Sequence, residues 1–158
     1  MFQLGRIYAE ALGLTVLDQN GKTQVVTMGS YGIGVSRAVA AIAEANHDEL
    51  GLKWPSAVSP TDVHIVVAGK PGDETSTVGE SLATALHDLH MTVLLDDRKG
   101  VSPGVKFKDA ELIGTPRIVI AGRGVATGVV EVRNRRAGSS GDVAIDDAAK
   151  HIVAMSIK

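Results

Sequence analysis

With 158 residues, 44% of them apolar, the chain can bury a core for one domain, or for one domain and a piece of another. Eighteen acidic against sixteen basic residues leave a formal charge of −2, which excludes indiscriminate nucleic-acid binding and confines any such partner to a local basic patch. Cysteine is absent, so disulfide frameworks and thiolate metal sites are excluded; with no signal-peptide profile and no apolar run of membrane-spanning length, a cytoplasmic protein without membrane contact is expected.

Residues 2–4 read as a short strand that begins without a lead-in element, so the chain is expected to be a piece of a longer protein. Residues 8–12 form a helical turn. Residues 14–17 and 23–26 flank Asp18-Gln19-Asn20-Gly21, whose Asn-Gly pair signals a hairpin, and the second strand is expected to run on into the glycine-rich stretch 28–37. From Val35 onward Val39, Ile42 and Ala43 follow helical spacing, with Ala38, Ala41 and Ala45 allowing close approach, until the polar cluster 46–49 and Gly51 end the helix. His47 beside Asp48 reads as a polar helix end and is assigned no chemistry. Trp54-Pro55 and Ser59-Pro60 impose extended backbone over 53–61, a linker that Trp54 docks on one of its neighbours.

Beyond the linker, strands and helices alternate. Strands are expected at 63–67, 92–95 and 117–121, and helices at 74–89 and 104–113, the second with Pro103 near its start. A hairpin of 128–133 and 142–145 and a helix over 146–157 close the chain. This order means a mixed sheet covered by helices. Residues 70–75, 137–141 and the last few are the most disorder-prone.

The glycine-rich stretch carries the strongest signal. Gly32-Ile-Gly34 begins like a dinucleotide fingerprint, but Arg37 stands where its last glycine belongs and no acidic residue follows at the right distance. A P-loop Gly-Lys-Ser/Thr occurs nowhere. There remains a strand, a glycine-thinned floor and an arginine in the first helical turn. That suits a nucleotide: the missing Cβ lets a planar group lie on the backbone, the helix N-terminus favours anions, and the guanidinium can stack or pair with phosphate. A helix packed closely on a strand, with Arg37 merely solvated, explains the spacing equally well.

The string Gly-Ser-Tyr-Gly-Ile-Gly-Val-Ser-Arg, followed by Ala-Val-Ala-Ala-Ile-Ala-Glu, closely resembles the third signature motif of class II aminoacyl-tRNA synthetases in the form seen in the bacterial-type prolyl family. Phe2-Gln3-Leu4-Gly5, Trp54-Pro55 and the run from Val105 to Gly114 extend that resemblance over essentially the whole chain. It implies the C-terminal piece of an antiparallel class II catalytic domain over 1–52, a linker over 53–61, and over 62–158 an α/β anticodon-binding domain of class IIa, a mixed sheet with helices on both faces. The parent enzyme would activate L-proline with ATP and Mg2+, charge tRNA(Pro), and act as a homodimer. The threonyl, histidyl and glycyl tails of the same class fit the glycine string less well. A stand-alone tRNA-binding or regulatory module derived from such an enzyme is the rival reading.

By the same resemblance, Arg37 lies against the adenine of ATP and near its phosphates as the catalytic arginine, Gly32 and Gly34 form the floor, and Gln3 is a nucleotide-contacting strand residue. Ser30 sits where many bacterial prolyl enzymes have a cysteine near the proline pocket. A second motif with a Phe-Arg-x-Glu string, which grips the α-phosphate, does not occur in this sequence. The chain alone is therefore expected not to activate proline and to bind neither ATP nor metal by itself.

In the second domain, Asp96-Asp97-Arg98-Lys99-Gly100 and the run 106–111 read from charge alone as a solvated loop and helix face. The resemblance makes them the anticodon-reading surface. A carboxylate such as Asp109 can accept hydrogen bonds from guanine edges, with Arg98, Lys106 and Lys108 supporting phosphate. Arg123, between Gly122 and Gly124, is a further candidate. Arg133, Arg135 and Arg136 either extend the RNA track or form the exposed tip of a turn. No metal site is assigned; Asp96-Asp97 lacks further ligands.

Overall fold

The computed structural model describes residues 1–156. It comprises two compact units, Met1–Ala40 and a second from Ala41 onward.

In the first unit, β1 (Phe2–Gly5) pairs antiparallel with β4 (Met28–Ser30), setting Gln3 opposite Gly29 and Phe2 opposite Ser30. Between them lie α1 (Ile7–Ala11) and the hairpin of β2 (Thr15–Leu17) and β3 (Thr23–Val25). The hairpin is present as expected, and its turn is a loop over 19–21. Asp18 N–H donates to the Lys22 carbonyl at 2.9 Å and only Gly21 is left-handed, at φ +74°, which is the three-residue loop closed by a left-handed glycine. The second strand does not continue into the glycines. It stops at Val25, and the chain changes partner before β4. Ala9 is the unit's one buried residue among those described, and Phe2, Ile7, Leu12, Leu17 and Ile33 are exposed. The helix α2 (Val35–Ala45) begins in this unit and ends in the second.

The second unit opens with a small hairpin, β5 (His47–Asp48) and β6 (Gly51–Leu52). Then follow β7 (Val63–Val67), α3 (Glu74–Asp88), β8 (Val93–Asp96), α4 (Pro103–Ile113), β9 (Arg117–Ala121), β10 (Val129–Asn134), β11 (Ser139–Ala144) and α5 (Ile145–Ala154). Five of these strands form one mixed sheet in the order β11-β10-β9-β7-β8, with β7 parallel to both neighbours and β10 antiparallel to both β9 and β11.

Alternation along the strands divides the core. Val63, Ile65, Val119, Val130 and Val132 meet Leu82, Leu86, Ala148 and Ile152 of α3 and α5 on one face. Val66, Ile118 and Ile120 meet Ala110 and Phe107 of α4 on the other. The connection from β7 to β8 and the return from β8 past β7 to β9 run in opposite directions along the sheet. Right-handed crossovers therefore place α3 and α4 on opposite faces. The mixed sheet with helices on both faces is as expected.

Local chemistry sets the helix ends. Asp73 caps α3 through the Ser76 amide at 3.2 Å, Pro103 opens α4, and Gly114 at φ +75° closes it. So 70–75 is ordered by its cap. Residues 139–141, counted among the disorder-prone, are the first half of β11, with Ser140 opposite Arg133. The expected end of the last helix at 157 lies outside the described residues.

The hairpin β5–β6 is fastened to α4 and β10. Arg135, 8% exposed, forks onto Asp48 at 2.7 and 2.6 Å and donates to the Glu111 carbonyl at 3.3 Å. Trp54 N–H donates to the Gly114 carbonyl at 3.1 Å. A Cβ on Gly51 would collide with the backbone of Leu112, and one on Gly114 with the carbonyl of Leu52. The reading of Arg135 as an exposed turn tip is corrected: its charge is held by the Asp48 carboxylate. The Arg135 guanidinium keeps that carboxyl far below its usual range.

Candidate nucleic-acid interface

The three parallel strands β7, β8 and β9 end on one side of the sheet, and their connections leave in opposite directions from the central strand. In such sheets ligands bind outside the carboxyl ends at this point of divergence. Here that edge carries the loop after Asp96, the start of α4 and the turn after Ala121.

Asp96 organises the loop. It is 6% exposed at the end of β8, and Arg98 grips it bidentately, Nε to Oδ1 at 2.9 Å and Nη2 to Oδ2 at 2.8 Å, while the Arg98 amide adds a bond at 3.2 Å. The Arg98 hydrogen bonds hold the Asp96 carboxyl below its ordinary range against the opposing effect of burial. The same Nη2 reaches Asp109 Oδ2 on α4 at 2.7 Å. One guanidinium thus bridges two carboxylates, and its own proton affinity is raised by Asp96 first and Asp109 second.

Lys106 requires a correction. It was expected to support phosphate from the surface, but it is 3% exposed and its Nζ donates to the carbonyls of Val67 at 2.9 Å and Asp96 at 3.3 Å. An ammonium that ties together the ends of β7 and β8 from beneath positions the loop and does not face solvent. Lys108 on α4 and Arg123 after β9 are exposed, and among the described residues neither pairs with this cluster. The structure therefore brings Arg98, Asp109 and, from below, Lys106 together, and leaves Lys108 and Arg123 as flanking cations.

Cavities lie on both sides of α4. One, of about 390 Å³, is lined by His64, Leu94, Leu95, Asp96, Arg98, Asp109, Leu112 and Ile113. The other, of about 380 Å³, includes Pro103, Phe107, Arg123 and Arg133. Arg133 is engaged there: its Nε donates to Glu131 at 2.7 Å, its Nη1 to Glu111 at 3.4 Å, and its guanidinium carbon stands 5.8 Å from the Phe107 ring centre. Of the three hairpin arginines, Arg136 alone is on the exposed turn.

His64 is the functional candidate that sequence reasoning missed. It is 1% exposed as the second residue of β7, and burial, opposed by Asp96, reinforced by Arg98 and opposed again by Asp109, lowers its proton affinity. The unfolded chain takes up this proton near pH 6.5 while the folded chain still refuses it, so stability falls as pH drops through about 6.5. The chain is expected to melt at a lower temperature at pH 5.5 than at pH 7.5, and His64→Leu to lose most of that slope. The depressed carboxyls Asp48, Asp73 and Asp96 act in a separate window, below about pH 4, where protonation removes their contribution. An unchanged slope in the variant would contradict the assignment.

In the first unit, Gln3 and Ser30 lie on the adjacent strands β1 and β4, each opposite a neighbour of the other. Gly32, Gly34 and Arg37 are exposed; a Cβ on Gly32 would meet no atom within 4 Å, and one on Gly34 only the Cβ of Arg37. Arg37 occupies the first turn of α2, where the helix dipole disfavours a cation unless an anion is brought to it. Among the described residues no three His, Asp or Glu side chains come together as a metal site, and no helix is long and apolar enough to cross a membrane.

The second unit is an α/β domain built on one mixed sheet, and the family model for the anticodon binding domain matches residues 62–155: the chain belongs to that family. Its relatives include proline–tRNA ligases. Those of Paenarthrobacter aurescens (57% identical over 153 residues), Arthrobacter sp. (58% over 153) and Mycolicibacterium vanbaalenii (58% over 154) match 97%, 97% and 98% of this chain. The chain spans about a quarter of the length of these curated relatives, 25%, 25% and 26%. The fold is also that of prolyl-tRNA synthetase from Cryptosporidium parvum. The complex with L-proline and AMP has a TM-score of 0.75 at 23% identity, and that with halofuginone and AMPPNP 0.76 at 24%, over 97% of this chain and 33% and 32% of those chains.

Proposed function

We propose that the chain is the tRNA-recognising portion of a proline–tRNA ligase and that its second unit reads the anticodon of tRNA(Pro). The observation that carries this reading is Arg98 bridging Asp96 and Asp109 beside a cavity of about 390 Å³. Proline anticodons end in two guanines. A guanine presents two adjacent donors on its Watson–Crick edge, and a carboxylate is their natural acceptor. Asp109 supplies that acceptor, Arg98 serves the neighbouring acceptor atoms or phosphate, and Lys108 and Arg123 attract the backbone. Lys106 acts by fixing the loop that presents Arg98.

In the whole enzyme, cytoplasmic and homodimeric on this reading, the segment 1–52 would complete a site for ATP and L-proline, 53–61 would link it to the anticodon-binding domain 62–158, and Arg37 would draw the anionic nucleotide to the start of α2. Gln3, Ser30, Gly32 and Gly34 would line that site. Mg2+ would enter with ATP, since the described residues hold no carboxylate cluster that fits it. With the α-phosphate-gripping motif absent from its sequence, the purified chain is expected to give no proline-dependent exchange of pyrophosphate into ATP; measurable exchange would overturn that statement.

The test of the central reading is fluorescence anisotropy with proline tRNA and with the same tRNA whose two anticodon guanines are replaced by adenines, at moderate salt so that phosphate attraction is reduced. The guanine form is expected to bind about tenfold tighter or more. Equal affinities would refute it.

A further inference from the structure

The anticodon cavity has a floor that the fold does not need. His64 interrupts the aliphatic run of β7, its register partners on either side are Leu94 and Ile118, and Val or Ile would complete the layer without loss. Yet the histidine is buried, and neither Nδ1 nor Nε2 has a hydrogen-bond partner. Buried polar side chains are nearly always paired, and an orphan in a native core calls for a function. Both orphaned atoms belong to a side chain that lines the cavity shared by Asp96, Arg98 and Asp109.

We propose that His64 is a specificity-determining residue of this cavity, donating a hydrogen bond to O6 of an inserted guanine while Asp109 accepts from the adjacent N1–H and N2–H. The inference rests on the anticodon reading given above. A neutral imidazole carries one N–H and one bare nitrogen. Paired with a carboxylate, its N–H matches the acceptor-donor-donor edge of guanine. Adenine offers a donor where guanine has O6 and an acceptor where guanine has N1–H, so it would face a donor with a donor and a carboxylate with an acceptor. The discrimination needs the base to displace Arg98 from Asp109 and, because both ring nitrogens of His64 are buried, to uncover one of them as it enters. That contact joins two side chains 47% and 36% exposed, whereas the grip of Arg98 on Asp96 is at its buried end. Arg98 can therefore yield Asp109 and keep Asp96. Burial keeps the imidazole neutral at the same time, so the floor, once uncovered, offers one donor and no charge.

The test uses the full chain, proline anticodon stem-loop RNAs with guanines or adenines, and ring-nitrogen NMR of His64. Wild type is expected to favour the guanine RNA by about tenfold or more, and His64→Leu to bring the ratio to about threefold or less. The Leu variant should melt no lower than wild type at neutral pH, because it removes two orphaned polar atoms from the core. His64→Gln, which keeps a donor and an acceptor, should hold more of the ratio than Leu. On binding the guanine RNA, one His64 ring nitrogen should shift in wild type. A wild-type ratio in a folded His64→Leu, or a guanine preference without any His64 shift, overturns the inference and leaves the anticodon reading standing. No guanine preference in wild type removes both. Should the Leu variant fail to fold, the ring-nitrogen shift decides alone.

Discussion

Asp109→Asn is expected to cost about 1–3 kcal/mol of the preference for guanine, a loss of about 5- to 150-fold, with a smaller change in binding to RNA that lacks the guanines. The amide keeps the shape of the side chain but places a donor where guanine also places one. Asp109 is on the outer side of α4 with its carboxyl partly exposed, so the substitution leaves the core intact and the melting temperature close to wild type. Lys108→Ala provides the contrast: it should weaken both RNAs equally and lower the salt slope by about one, as a phosphate contact does. Anisotropy titrations of the two variants against both RNAs, at two salt concentrations, check the pair of expectations. A uniform loss in Asp109→Asn would remove it as the base reader.

Arg135→Ala is expected to lower the melting temperature by about 5 °C or more, the scale of losing charge-assisted hydrogen bonds between a buried guanidinium and a partly exposed carboxylate in a domain of about 100 residues. The loss has two parts. The bidentate bonds to Asp48 vanish, and so does the bond to the Glu111 carbonyl, which together fasten β5 and β6 to α4. Arg135→Lys should recover less than half, because an ammonium cannot fork onto a carboxylate. Asp48 has a depressed proton affinity in the folded chain, so its contribution is present above about pH 4 and disappears as pH falls below that, and the gap between wild type and variant should narrow there. Melting followed by circular dichroism at pH 7 and pH 3.5 checks both statements; a shift below about 3 °C would show that the clamp is dispensable.

What the sequence displayed and what it concealed divide along physical lines. Apolar runs and helical periodicity located every strand and helix of the main sheet within a few residues, because Val63–Val67 and Arg117–Ala121 are buried on both faces and the amphipathic pattern of α3 is long. The turn at 18–21 was visible as a turn but not in its geometry, since Asn-Gly serves a left-handed glycine after a longer loop as well as a tight pair. Partner exchange after Val25 was invisible, for strand pairing is a long-range choice that no local propensity encodes. In the site, Asp109 and Arg98 stood out as charges beside a glycine-containing loop, but which charges turn inward did not. Lys106 faces the sheet because it shares the inner side of α4 with Ala110, four residues on, a spacing that could have flagged it. Asp48 and Arg135 lie 87 residues apart, and nothing local announces their pairing. His64 left one legible trace, a polar residue inside an otherwise aliphatic run.

The most direct test of anticodon reading at this edge is photo-crosslinking of the chain to proline tRNA carrying 6-thioguanosine at either anticodon guanine, with the adducts mapped by mass spectrometry. Adducts within residues 94–99 or 109–113 are the predicted result. Adducts confined to the hairpin turn around Arg136 or to residues 1–40 would contradict the account.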